Sequence, residues 1–242
     1  MNKLSNFGYT KVTPKEKTKL VQKVFSDVAF NYDLMNDVMS FGAHRLWKKI
    51  FIDLINPSDD DEIIDVGSGS GDLVLEIQKK YYNTKIDIVD LNNEMLREGK
   101  KRIKKSNVNF YQQNAESLSF PDNKYDKYLI SFCLRNITDI DKSLREAFRI
   151  LKPGGQYYCL EFSKPCSFII SNIYSNYKSN FLPLLGKIFS NNRDAYNYLN
   201  ESIDLFPNQE DLKKRMESAG FKLVKFTNLF DGIVSIHTGF KY

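Results

Sequence analysis

Residues 62–72 read Glu62-Ile63-Ile64-Asp65-Val66-Gly67-Ser68-Gly69-Ser70-Gly71-Asp72, and this stretch decides the fold. Its first part is a short apolar run, which predicts a strand. The glycines that follow allow the backbone to turn tightly and to approach a ligand closely. Beyond them Leu73, Leu75 and Ile77 carry a helical pattern, so the segment reads as strand, turn and helix. A glycine-rich turn alone is often no more than a turn; its surroundings give it meaning.

Outward from this unit the order repeats. Residues 85–90 and 108–112 read as strands with a helix over 92–105 between them, and 125–131 as another strand. A helix over 139–151, the turn Lys152-Pro153-Gly154-Gly155 and a strand over 156–162 follow. Strands alternating with helices predict an α/β fold with a mostly parallel sheet and helices on both faces. A helix over 209–219 stops at Gly220, and two β-rich runs flank Asp231-Gly232, a hairpin signal that makes the last strand antiparallel. Before the first strand, Leu20, Val21, Val24, Phe25 and Val28, then Leu46, Trp47, Ile50, Phe51 and Leu54, recur at helical spacing. The expected division is a helical cap over 1–57 on the substrate side and a main domain over 58–242. A helical lid, rich in Phe, Tyr, Ile and Asn, is inserted at about 166–207.

At 242 residues, with 42% hydrophobic and 27% charged residues, the chain suits one large folded domain rather than a disordered state. A net charge of +5, spread over interspersed lysines, favours anionic surfaces without choosing between nucleic acid and lipid. Cys133, Cys159 and Cys166 form neither a paired framework nor a metal-ligand cluster with His44 and His237, which predicts a reducing compartment and no metal. No stretch reaches the ~18 apolar residues of a membrane span, and the N-terminus lacks a signal-peptide core. The expectation is a soluble, cytoplasmic protein, with contact at the inner face of the cytoplasmic membrane left open.

The ligand is narrowed by charge. Asp90 closes the second strand about twenty residues after the glycine loop, where a carboxylate accepts both hydroxyls of a ribose. A pyrophosphate at Gly67 and Gly69 would meet Asp65 and Asp72, two negative charges against a dianion, whereas an ammonium and a sulfonium would be attracted. S-adenosyl-L-methionine is therefore preferred to a dinucleotide. Asn114-Ala115-Glu116 follows the third strand, where an adenine ring could meet an amide or a backbone N–H; the alternative is an ordinary loop. Ser131 ends the fourth strand, at the carboxyl edge where open α/β sheets bind ligands.

Beyond these residues, the segments Val24–Ala29, Tyr32–Gly42 and His44–Lys48 resemble the entry signature of the ubiquinone/menaquinone biosynthesis C-methyltransferase family. Asn114-Ala115-Glu116, Phe120-Pro121-Asp122, Ser131–Asn136, Leu151–Gly155, Leu160–Pro165 and Tyr198–Ile203 resemble middle and later parts of the same family. The resemblance covers nearly the whole chain and departs at 67–70, where the family usually has glycine or alanine at 67–68 and threonine at 70. It implies a Rossmann-like class I methyltransferase of seven strands and cofactor contacts from Ser70, Asp90, Asn114, Ala115 and Ser131. It also implies methylation of a ring carbon of a polyprenylated quinol. The short stretch before the entry signature suggests a bacterial protein without a transit peptide.

Carbon methylation of a quinol needs a ring hydroxyl to lose its proton, and a phenol titrates near ~10 when unperturbed. Arg135 is the expected stabiliser of the phenolate, with Asn136 donating a hydrogen bond. Asp33 and Glu161 are candidates for the base, with His44 behind them, and Tyr32 for orienting the ring. The stretch from Phe168 to Arg193 suits a prenyl tail or a membrane surface. A homodimer or a quinone-synthesis complex is compatible with these features. Two rival readings remain: a nucleic-acid methyltransferase using Cys166 as nucleophile, against which no RNA-binding module is evident, and a cofactor-binding assembly subunit without turnover.

Overall fold

A computed structural model describes residues 4–29, 32–177, 180 and 193–242, the side chains of 32–34, 193 and 194 being left aside. The strand of the opening motif, β3 (Glu62–Val66), lies at the middle of a seven-stranded sheet. Its neighbours are β4 (Lys85–Asp90) and β6 (Tyr125–Ser131), both parallel to it. The full order is β5-β4-β3-β6-β7-β9-β8, with β5 Val108–Gln112, β7 Leu151–Phe162, β8 Lys222–Leu229 and β9 Val234–Phe240. Only β9 runs against its neighbours, pairing antiparallel with β7 and β8, as the hairpin signal predicted. Asp231 in the intervening turn has φ 57°, the left-handed conformation such a connection uses.

Helices cover both faces, which is why the central strands are apolar on both sides. Ile63, Leu129 and Leu160 pack on one face with α3 (Ala43–Ile55) and α4 (Asp72–Lys80); α5 (Asn93–Arg102) lies on the same side. Ile64, Tyr128 and Tyr157 pack on the other with α6 (Ile140–Ile150) and the helix Gln209–Ser218. The chain direction of the sheet's connections reverses between β3 and β6, which opens a crevice at the carboxyl ends of the strands. The glycine loop, Asp90 and Ser131 all end there.

Over this crevice lie α1 (Pro14–Val28), α2 (Tyr32–Ser40) and the lid helices α7 (Phe168–Asn176) and α8 (Arg193–Leu205). With α8 so numbered, Gln209–Ser218 is α9. Pro14 and the Thr13 cap, whose Oγ1 accepts from Glu16 N, fix where α1 starts.

Four local expectations change. A hairpin of β1 (Ser5–Phe7) and β2 (Thr10–Val12) precedes the helices and clasps α8: Tyr9 N donates to Glu201 Oε2 and Tyr9 Oη to Asp204 Oδ2. In α3 the buried face carries His44, Trp47, Lys48, Phe51, Ile52 and Ile55, while Leu46 and Leu54 are exposed, so the helix is rotated from its simple apolar stripe. On that inner face Lys48 is paired with Asp72 at 2.9 Å. Pairing in β7 begins at Leu151, ahead of the Lys-Pro-Gly-Gly turn, with a register shift opposite residues 125–127. The predicted helix over 92–105 ends at Arg102. Of the predicted lid, residues 178–179 and 181–192 lie outside the described residues.

Candidate active site

Two cavities meet at the crevice. One is a slot of about 100 Å³ between the glycine loop, the tips of β4 and β5, and α1; it is lined by Gly67, Gly69, Asp90, Met95, Asn114, Ala115 and Asn136, among others. The other is a chamber of about 580 Å³ whose wall is mainly apolar, under α2, α3, α7 and α8. Gly67, Gly69 and Phe132 line both.

The slot is built from backbone. Gly67 has φ 68°, its N–H donates to Val89 O at 2.7 Å, and a β-carbon there would lie 2.0 Å from Cys133 Sγ. No other residue fits that turn without displacing β6's exit. At the end of β4, Asp90 Oδ2 accepts from Gly69 N at 2.8 Å and Oδ1 from Asn92 N at 2.8 Å, tying the two strand tips together. Burial raises the Asp90 pKa, opposed by these N–H bonds. Asn114 Oδ1 accepts from Glu116 N, so its loop is ordered by its own side chain. Helix α1 closes the slot through Gln22 Nε2 to Leu91 O and Lys17 Nζ to Ile137 O; burial lowers the Lys17 pKa to about 8.

The charges beside the loop differ from one another. Asp65 is fully buried, one oxygen accepting from Ser68 Oγ at 2.6 Å and the other, Oδ1, having no hydrogen-bond partner among the described residues. Burial pushes its pKa up to about 7. Asp72 is not a second open anion, as the sequence had it. Its oxygens take Lys48 Nζ at 2.9 Å and Arg102 Nη2 at 2.7 Å, and Arg102 also donates to Ser70 Oγ at 2.8 Å. The repulsion argued against a dinucleotide therefore rests on Asp65 alone, since Asp90 stands where the ribose diol of either cofactor would be held.

In the chamber, Arg135 is held by Glu161: Nη1 donates to Oε1 at 2.7 Å and to Phe132 O at 2.5 Å. Glu161 is fully buried, and its other oxygen accepts from Arg135 N. It stands behind the arginine, away from the chamber surface, which removes it from contact with a bound ring. Asn136, expected beside Arg135, faces the slot instead, its Oδ1 accepting from Tyr198 Oη at 3.0 Å. Ser131 lines the chamber rather than the slot. His44 lines the chamber with Nε2 on Asp37 Oδ1 at 2.8 Å; Arg45 grips the same carboxylate and holds it well below the usual range. The side chains of Tyr32 and Asp33 lie outside the described residues. Cys166 is exposed and takes Asn228 Nδ2, away from both cavities.

Residues the sequence did not single out complete the chamber. Trp47, Phe132, Phe162 and Phe230 form an aromatic cluster with centroids 5.0 to 6.1 Å apart. Phe132 holds φ 52°, a strained value for an aromatic residue, at the point where the cavities join. No group of three potential metal ligands occurs among the described residues.

Comparison with known proteins agrees with this architecture. The model of the ubiE/COQ5 methyltransferase family matches residues 11–241. The chain is 47% identical to the ubiquinone/menaquinone biosynthesis C-methyltransferase UbiE of Rickettsia bellii over 245 aligned residues, covering 98% of each. It is 45% identical to that of Zymomonas mobilis, covering 100% of each. Among solved structures, a SAM-dependent methyltransferase of Thermotoga maritima superposes with a TM-score of 0.68 at 20% identity, over 92% of this chain and 100% of that one. A Haemonchus contortus phosphoethanolamine N-methyltransferase in complex with S-adenosyl-L-methionine gives 0.57 at 16%, over 75% and 48%.

Proposed function

The chain belongs to the ubiE/COQ5 methyltransferase family, and from that premise we propose that it transfers a methyl group to a ring carbon of a polyprenylated quinol in menaquinone or ubiquinone synthesis. The observation that carries this reading is the pair of cavities joined at Gly67, Gly69 and Phe132, a narrow slot opening into a roomy apolar chamber.

The methyl donor is S-adenosyl-L-methionine. The slot suits it: Asp90 offers carboxylate oxygens to a ribose diol, and Asn114 and Ala115 border the adenine end. Asp65, buried behind the loop and lining neither cavity, keeps Oδ1 without a donor among the described residues and adds negative charge that attracts an ammonium. Ser70, held by Arg102, fixes the loop's far side. When bound, the cofactor supplies an already activated methyl on a sulfonium. The protein's task is to raise the electron density of the acceptor carbon and to hold it in line. Arg135 stabilises negative charge on the ring oxygen, and Glu161, with its oxygens engaged by Arg135 and by Phe162 N, positions it. The aromatic cluster excludes water and stacks on the ring.

The chamber also suggests where the tail goes. Ile170 and Ile173 of α7 line it, while Phe168, Ile169 and Phe41 are exposed at its rim by 79%, 70% and 73%. Such a large exposed apolar group, with Arg45 and Lys49 on neighbouring α3, fits the headgroup region of an anionic membrane. No described helix is long and apolar enough to cross a bilayer. The test is incubation with methyl-labelled cofactor and both benzoquinol and naphthoquinol acceptors; label in neither product ends the functional reading. Co-sedimentation with anionic vesicles tests the surface, and recovery of all protein in the supernatant ends that part.

A further inference from the structure

Two polar atoms in the chamber wall have no hydrogen-bond partner among the described residues, and they sit on one face of α3, one turn apart. Trp47 Nε1 and His44 Nδ1 are both buried and both unsatisfied, in residues only 5% and 6% exposed. Buried polar groups in native structures are nearly always paired, so two orphans in the wall of one chamber point to a ligand that completes them.

Their chemistry is complementary. An indole N–H can only donate. At His44 the carboxylate of Asp37 can only accept, so Nε2 carries the ring proton and the neutral imidazole presents Nδ1 as an acceptor. Burial holds the imidazole pKa below its ordinary value and keeps the ring neutral. The charged groups around it are Asp37 and Arg45 on one side, and Lys48, Asp72 and Arg102 on the other. A donor and an acceptor one helical turn apart, in residues that line the same chamber, suit a group that both accepts and donates, and a quinol's hydroxyl is such a group.

We propose that Trp47 and His44 form the subsite for a ring hydroxyl of the quinol, Trp47 Nε1–H donating to its oxygen and His44 Nδ1 receiving its proton. This rests on the quinol reading above. As the O–H bond breaks and the N–H bond forms, the bonding pair stays on oxygen and pushes electrons to the ring carbon. That carbon bonds the methyl, and the pair of the broken carbon–sulfur bond remains on sulfur. The carbon's own hydrogen then leaves to water as a proton, its pair restores the aromatic ring, and the oxygen regains the proton from His44. One proton is released per methyl transferred. Asp37 is a positioning residue that holds the imidazole in the required tautomer.

Trp47 is the chain's sole tryptophan, so its emission reports on this subsite directly. Titration of the whole wild-type chain with a short-tailed demethylated naphthoquinol should quench that emission to saturation. Trp47→Phe keeps an aromatic ring and removes the N–H; its KM should rise about tenfold, the worth of one hydrogen bond, with cofactor affinity by calorimetry unchanged. His44→Gln should lower kcat by about 100-fold, the lower end of a general base's contribution, and regain part of it as pH rises and solvent ionises the phenol. Unaltered emission in wild type overturns the subsite, as do variants that keep wild-type KM, kcat and pH profile. Absence of methylation by the wild type is a separate result and strikes the quinol reading itself.

Discussion

The slot and the chamber lie side by side but are held in different ways. The slot is walled by backbone at the tips of parallel strands, with Gly67 wedged against Cys133 and Asp90 tied to two N–H groups. Side chains form the chamber, supplied by helices from distant parts of the chain: α3, the turn after β6, α7 and α8. A ligand common to many enzymes meets a site made of strand geometry. The ligand particular to this one meets a site of replaceable side chains, and here function is set apart from fold.

The largest effect is expected at the Arg135–Glu161 pair of the chamber wall. Arg135→Ala should reduce turnover by about 100-fold or more while leaving cofactor affinity within a few-fold. It should also lower stability by about 3–5 kcal/mol, because Glu161 is left as an unpaired buried charge. The double variant Arg135→Met with Glu161→Leu should recover stability in denaturant titration without recovering turnover. Recovery of both would make the pair structural only.

On the slot side, Asp90→Asn should weaken cofactor binding by about tenfold to 100-fold, the range of one or two charge-assisted hydrogen bonds, and leave acceptor KM unchanged. Calorimetry against steady-state kinetics separates the two.

A smaller effect concerns Asp65. Burial raises its folded pKa to about 7, above the 3.8 of an ordinary aspartate. Between those values the folded chain binds the proton and the unfolded chain does not, so stability without cofactor should fall as pH rises through that window. The loss should be about 1.4 kcal/mol per pH unit and level off above about pH 7. Cofactor binding should release a proton in the same window, and Asp65→Asn should flatten both the thermal-unfolding series and the proton release.

The smallest change in a soluble assay is expected at the rim. Phe168→Ser with Ile169→Ser removes two exposed apolar groups worth about 2 kcal/mol each when buried. Vesicle binding should drop by about a hundredfold or more, with turnover of a tail-less acceptor unaltered.

The same contrast explains what could be read in the sequence. The sheet was legible because β3 and β4 are short, mainly apolar runs, almost wholly buried and separated by helical spacing. So was the slot, because its parts follow strand ends at regular intervals. The pairing of Asp72 with Lys48 and Arg102 was not, since it joins residues 24 and 30 positions apart and no local pattern marks it. Trp47 reads as an ordinary core residue of an amphipathic helix; only the rotation of α3 turns it to the chamber. The hairpin of residues 5–12 escaped because strands of three residues carry too little alternation to register.

The placement of β9 has a consequence for synthesis on the ribosome. Residues 234–240 fill the gap between β7 and β8, so β7 presents a bare edge until they have been made. A nascent chain arrested before that point carries the cofactor half of the sheet next to an open strand edge, ready to pair with another chain. Shortening this protein past Phe240 should therefore be felt first as clumping during expression, before any loss of affinity is measurable.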